Sequence, residues 1–141
     1  MVPSVKATDY YISSTGSDSN LGTSLSAPWK TITKVSAKSY LPGDTINFEG
    51  SKTFIGQISL SQASTGTALN PIQIRSYGTG RATINNTTDS ALKGYNASGI
   101  YVHDLNFVGP GINYSGLFDG VMFYADTANV KLPYIRVENV D

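Results

Sequence analysis

The alternation Ile100-Tyr101-Val102-His103-Asp104-Leu105 recurs along the chain. Ile135-Arg136-Val137-Glu138-Asn139-Val140 repeats it 35 positions later. Ile72-Gln73-Ile74-Arg75-Ser76-Tyr77 precedes it by 28 positions, and Ile46-Asn47-Phe48-Glu49-Gly50 stands 26 before that. A period of two marks a strand that buries one face only. Its recurrence at these steps predicts a solenoid of about four stacked coils. Ile46, Ile72, Ile100 and Ile135 are expected to stack inward as one column, and Phe48, Ile74, Val102 and Val137 as the next. Each early coil carries a second strand candidate: Ile58-Ser59-Leu60, Ala82-Thr83-Ile84 and Val121-Met122-Phe123. The third coil is lengthened by Gly109-Pro110-Gly111-Ile112-Asn113-Tyr114-Ser115-Gly116, a segment that must leave the sheet. Loops of this kind often carry binding.

Ahead of the repeats, Asp9-Tyr10-Tyr11-Ile12-Ser13 reads as a first strand, and the turn formers from Thr15 to Thr23 as a loop. Ser26-Ala27-Pro28 looks like a helix start, and the pattern over 29–39 is helical. Trp29, Ile32 and Val35 fall on one side; Lys30, Lys34 and Lys38 line the other. The lysines read as a solvated outer face of an α-helix that caps the first coil. The expected architecture is all-β, a parallel β-helix with a short N-terminal capping helix. Residues 1–44 form the strand, loop and cap, and residues 45–141 the coils of a single domain.

Ten acidic and ten basic residues cancel, leaving no electrostatic case for nucleic acid or an anionic membrane. No apolar run is long enough to span a bilayer. The absence of cysteine excludes disulfides and thiolate metal sites. Asp18, Ser19 and Asn20 make a polar turn rather than a calcium loop, so no metal site is assigned.

Several stretches resemble a known family. Asp9-Tyr10-Tyr11-Ile12-Ser13, the loop Thr15-Gly16-Ser17-Asp18-Ser19-Asn20-Leu21-Gly22-Thr23, Ala27-Pro28-Trp29-Lys30-Thr31-Ile32 and Pro42-Gly43-Asp44-Thr45-Ile46 resemble the N-terminal portion of pectate-lyase-like right-handed parallel β-helix proteins. Asn70-Pro71-Ile72-Gln73-Ile74 and Tyr77-Gly78-Thr79-Gly80-Arg81-Ala82-Thr83-Ile84 resemble their early coils. The resemblance implies a secreted or cell-surface protein that meets polysaccharide, often acidic. It also implies a longer protein, since the basic catalytic residue and acidic calcium cluster of the lyases lie in later coils. Calcium therefore enters only as a cofactor of the full-length protein. No catalytic residue of that family maps onto a position here.

Reading the outward positions of the four repeats places Glu49, Arg75, His103 and Glu138 in one exposed column, and Asn47, Gln73, Tyr101 and Arg136 in the next. Glu49 and Glu138 would be three coils apart, about 14 Å, too far for a glycosidase carboxylate pair. Asp104 is expected at a polar corner with Ser76 and Asn139. A lyase instead needs a base for the proton α to a uronate carboxylate and cations to neutralise that carboxylate. Arg75, His103 and Arg136 are the weak catalytic candidates for such a reaction. Arg75, Tyr101, His103, Arg136 and Glu138 are the substrate-binding candidates, with Tyr101 as a platform for a sugar ring. The two readings are a polysaccharide-binding or structural module without a complete active site, and the N-terminal part of a uronate lyase acting by β-elimination. Ordinary cross-strand charge pairing also produces such a column. Finally, the last strand candidate, 134–140, is expected to be an open edge that promotes self-association.

Overall fold

The computed structural model describes residues 6–111 and 119–141. Most of the 109–116 loop therefore lies outside the described residues. The elements are β1 (Asp9–Ile12), α1 (Ile32–Ser36), β2 (Thr45–Glu49), β3 (Thr53–Ile55), β4 (Ile58–Leu60), β5 (Ile72–Tyr77), β6 (Ala82–Asn85), β7 (Leu92–Tyr95), β8 (Ile100–Val108), β9 (Val121–Tyr124) and β10 (Ile135–Val140). Every strand pairing is parallel. One face is built from β1, β2, β5, the first half of β8, and β10; a second from β3, β6 and the second half of β8. A third, separate sheet is β4-β7-β9. The sheets curl around one core, the arrangement of a β-helix or solenoid.

The inward positions are apolar because alternate residues of each strand point to one side. Ile46 stacks on Ile74, which stacks on Val102 and then Val137. Ile72, Ile100 and Ile135 form the neighbouring column. This corrects the expected register of the first coil, which is offset by two residues: Ile46 meets Ile74, not Ile72, and Phe48 lies opposite Ser76. The displaced alignment also kept every apolar residue inward, because a slip of two preserves the pleat. β1 supplies a rung before it, with Tyr10 on Ile46 and Ile12 on Phe48.

The second strands also sort differently from the sequence reading. Ile58 and Leu60 of β4 belong with Leu92 and Gly94 of β7 and Val121 and Phe123 of β9. Ala82–Asn85 lies on another side, beside β3 and β8. Two short strands, β3 and β7, complete the coils. Gly94 is required there: a Cβ would lie 2.1 Å from Cδ1 of Phe123.

The helix is shorter than the expected 29–39. Trp29 is held extended beside β1, with its N–H donating to Tyr11 O and its carbonyl accepting from Ser13 N, both at 2.9 Å. It therefore cannot enter a helical turn. Thr31 caps α1, its Oγ1 accepting from Lys34 N at 3.2 Å. Asp18 fixes that cap by accepting from the N–H groups of Lys30 and Thr31 and from Thr31 Oγ1. Burial pushes the Asp18 carboxyl up, but these hydrogen bonds prevail and hold it below the usual carboxylate range.

Trp29, Ile32 and Val35 are buried with Tyr10 and Tyr40. Trp29 stacks on Tyr10 with ring centroids 5.1 Å apart, and Tyr40 meets Tyr10 edge-on at 5.5 Å. Lys34 and Lys38 are not the free outer face expected: Lys34 Nζ lies 5.8 Å from the Trp29 ring and Lys38 Nζ 5.0 Å from that of Tyr10. In so short a helix the lysine stems fold back over the aromatic cap. Lys30 is exposed.

Candidate functional site

The outer side of the β1-β2-β5-β8-β10 face carries two ladders of side chains. Asp9, Thr45, Gln73, Tyr101 and Arg136 form one; Tyr11, Asn47, Arg75, His103 and Glu138 form the other. Glu49 is absent from them, a correction that follows from the offset of the first coil. It lies opposite Tyr77 and accepts from Ser13 Oγ at 2.7 Å and Ser14 N at 3.1 Å. The Ser13 bond foremost holds the Glu49 carboxyl below its ordinary range, against the effect of burial.

Asn47 was expected to be exposed and is not. Only 1% of it reaches solvent, against 4% for Thr45. Asn47 donates to Tyr10 O at 3.0 Å and accepts from Arg75 Nε at 2.8 Å. Thr45 Oγ1 donates to Asp9. The β2 rung is thus sealed by its own hydrogen bonds, whereas Asp9 of β1 stays exposed; beyond it the accessible polar surface is carried by β5, β8 and β10.

On that surface the sequence-read residues do meet. Arg136 Nε donates to Glu138 Oε1 at 2.6 Å, and the Tyr101 hydroxyl donates to Glu138 Oε2 at 2.8 Å. Both Glu138 oxygens are therefore engaged. Arg136 first and Tyr101 second hold that carboxyl below the carboxylate range, while the bond to Glu138 raises the Tyr101 phenol. The Tyr101 ring stacks on His103 at 4.3 Å, and the Arg136 guanidinium lies 4.8 Å over the same ring. The open platform expected of Tyr101 is occupied by its neighbours.

His103 is similarly committed. Its Nδ1 is 2.6 Å from Asp104 Oδ2 and its Nε2 is 3.2 Å from Gln73 Oε1, with 14% of the side chain exposed. Both ring nitrogens of His103 are thus engaged by neighbouring side chains. Asp104 turns the corner at φ 56, and Ser76 Oγ donates to its carbonyl at 2.5 Å. His103 foremost, then Asn139, hold the Asp104 carboxyl below its ordinary range. Among the described residues no cluster of His, Cys, Asp or Glu is arranged to hold a metal. No helix of the described residues is long and apolar enough to cross a membrane.

Beside this surface lies a recess of about 190 Å³, lined by Thr67, Ala68, Pro71, Tyr101, Tyr134, Ile135 and Arg136. The sequence reading missed it. Its wall at Tyr134 follows from the register, which sets Tyr134 one rung above Gly99, because Ile135 pairs with Ile100.

With this geometry in hand, the chain can be set beside known proteins. Its fold is β-helix-like. It is similar to the GH136 lacto-N-biosidase from Eubacterium ramulus with a TM-score of 0.62 at 19% identity, over 94% of this chain and 23% of that one. It is equally similar to a rhamnogalacturonan lyase, with a TM-score of 0.62 at 19% identity, over 84% of this chain and 33% of that one. In sequence it is 43% identical over 74 residues to a lacto-N-biosidase of Bifidobacterium longum subsp. longum. That match takes in 50% of this chain and only 5% of the relative. No protein-family model matches. These neighbours are glycan-processing proteins of which this chain spans a minor part, and at this identity the structural likeness speaks to the fold alone.

Proposed function

We propose that the chain is the N-terminal part of a secreted or cell-surface right-handed parallel β-helix protein, and that its β5-β8-β10 surface binds a glycan without cleaving it. The observation that carries this reading is the accessible three-rung array Gln73/Arg75, Tyr101/His103 and Arg136/Glu138. Its side chains are locked by one another before any ligand arrives, which lowers the ordering penalty of binding. Rungs spaced about 4.8 Å apart present polar groups along the axis, the direction in which an extended saccharide would run. The glycan-processing names of the similar proteins support the same substrate class. Arg75 makes no ion pair among the described residues, so an acidic sugar is matched to its end of the array.

The weak catalytic candidates Arg75, His103 and Arg136 serve here as contacts. The commitment of both His103 nitrogens supports binding over turnover in these coils. The lyase alternative places chemistry, and any calcium, in further coils of a longer protein. The outer edge of β10, with Val137 exposed, is proposed as a surface for self-association of the 141-residue chain.

Retention on immobilised polysaccharides tests the reading. The parent chain is expected to be retarded by at least one polysaccharide, and Arg75→Ala with Gln73→Ala to be retarded much less. An equal mobility on every gel would sink it. Growth of ultraviolet absorbance from an unsaturated uronate product would replace it with the lyase reading.

A further inference from the structure

The recess beside the polar surface contains an anomaly of backbone conformation. Gly99 has φ 64, and Tyr134, one rung later, has φ 61. The ladder imposes this: Gly99 N donates to Pro133 O at 3.0 Å and Ile100 N to Tyr134 O at 3.1 Å. Glycine adopts the left-handed region freely, whereas a bulky side chain there is strained. Among the described residues the other non-glycine ones in this region are Ser51, Asn96, Asp104, Asn129 and Asn139, small polar or amide types that tolerate it. Tyr134 stands apart from them.

Packing does not account for the tyrosine. It is 63% exposed, and its hydroxyl has no hydrogen-bond partner among the described residues. Strain of this kind that stability does not explain points to function. The ring borders the recess, which Thr67, Ala68, Pro71, Tyr101 and Arg136 also line.

The charge state of the recess narrows the ligand. Among the described residues Arg136 is the sole charged one lining it, and Glu138 already pairs with that guanidinium at 2.5 Å. A carboxylate placed here would meet a guanidinium whose Nε and Nη2 are already taken by the charge of Glu138. At about 190 Å³ the recess is also smaller than the roughly 300–1,000 Å³ of pockets that enclose larger ligands. We infer that it is a subsite for one neutral pyranose unit, whose apolar face lies on the Tyr134 ring and whose hydroxyls meet Arg136 and Thr67. This rests on the glycan-binding reading and adds to it a position, an aromatic platform and a preference against uronate.

Titration calorimetry on the 141-residue chain tests the inference, with hexasaccharides of neutral galactan, glucan and mannan and with hexagalacturonate. At least one neutral probe is expected to bind, and one on which Tyr134→Gly weakens affinity tenfold or more. The same variant should raise the melting temperature by relieving the left-handed strain, which separates a lost platform from a damaged fold. Tyr134→Phe should retain the affinity. Unchanged affinity in Tyr134→Gly, or hexagalacturonate whose binding depends on Tyr134, overturns the subsite while leaving glycan binding intact. No binding of any probe by the parent chain overturns both.

Discussion

Asn139 stands one rung above Asp104, in the same left-handed conformation at φ 52 against φ 56, and its Nδ2 donates to the Asp104 carboxylate. Two successive coils thus turn the same corner on a single residue each. The short amide and carboxylate side chains tolerate that backbone and link the coils across it.

Acid sensitivity follows from this corner. His103 and then Asn139 depress the Asp104 carboxyl below its unfolded value, so the folded state binds that proton less readily. Its contribution is present above about pH 4 and fades as pH falls through the depressed folded value. Asp104→Asn should therefore flatten the loss of stability on acidification below about pH 4. Urea midpoints measured from neutrality downward read the slope; an unaltered slope would contradict the assignment.

At the other end, Trp29→Ala should destabilise by about 3–5 kcal/mol, because it removes the stacked partner of Tyr10 from a buried cap. Lys34→Gln and Lys38→Gln should each lose about 0.5–1 kcal/mol through their ring contacts. Lys30→Gln should be silent. Equal effects from all three lysines in chemical denaturation would mean that the ring contacts contribute nothing.

Val102→Asp places a charge in the column between Ile74 and Val137, at a fully buried position. A loss on the order of 3–5 kcal/mol is expected, enough to unfold a marginal domain. Circular dichroism melts would show it, and a variant melting like the parent would place Val102 outside the core.

Gly94→Ala tests the third sheet. The added methyl meets the Phe123 ring at 2.1 Å, so either the ring or β9 must shift. A destabilisation of about 1–3 kcal/mol is expected. The companion change Phe123→Leu should recover part of it, a coupling that a double-mutant cycle measures.

The sequence made the solenoid legible because Ile, Val and Phe alternate with polar residues in four places. Register was a different matter. Ile72-Gln73-Ile74 offers Ile46 two equally apolar partners, and periodicity cannot choose between them. In the fold Gln73 N donates to Asp44 O at 2.9 Å, which sets Thr45 opposite Gln73 and Ile46 opposite Ile74. The consequence for the site was concrete: Asn47, not Glu49, became the neighbour of Arg75. Leu92-Lys93-Gly94-Tyr95 hid as a strand because its glycine reads as a turn and its purpose lies in Phe123, far along the chain. Tyr134 hid for a related reason. Its conformation is inherited from the ladder above Gly99, and no local pattern reports it.

The one-residue corners have a consequence for how this chain tolerates changes in length. Between Arg75 and Ala82 the second coil spends six residues on the corner that His103 to Leu105 rounds with Asp104 alone. Those extra residues are stitched outward, with Ser51 Oγ donating to Thr79 O at 2.8 Å. Arg81 reaches past the third coil to Asn139 and Asp141 of the fourth. A loop so placed absorbs an inserted residue without disturbing the strands on either side. Asp104 and Asn139 have no such slack: removing either would invert which side chains face inward along the rest of that strand. At this corner, insertions and deletions are thus tolerated in the second coil, while the third and fourth admit changes of residue but not of phase.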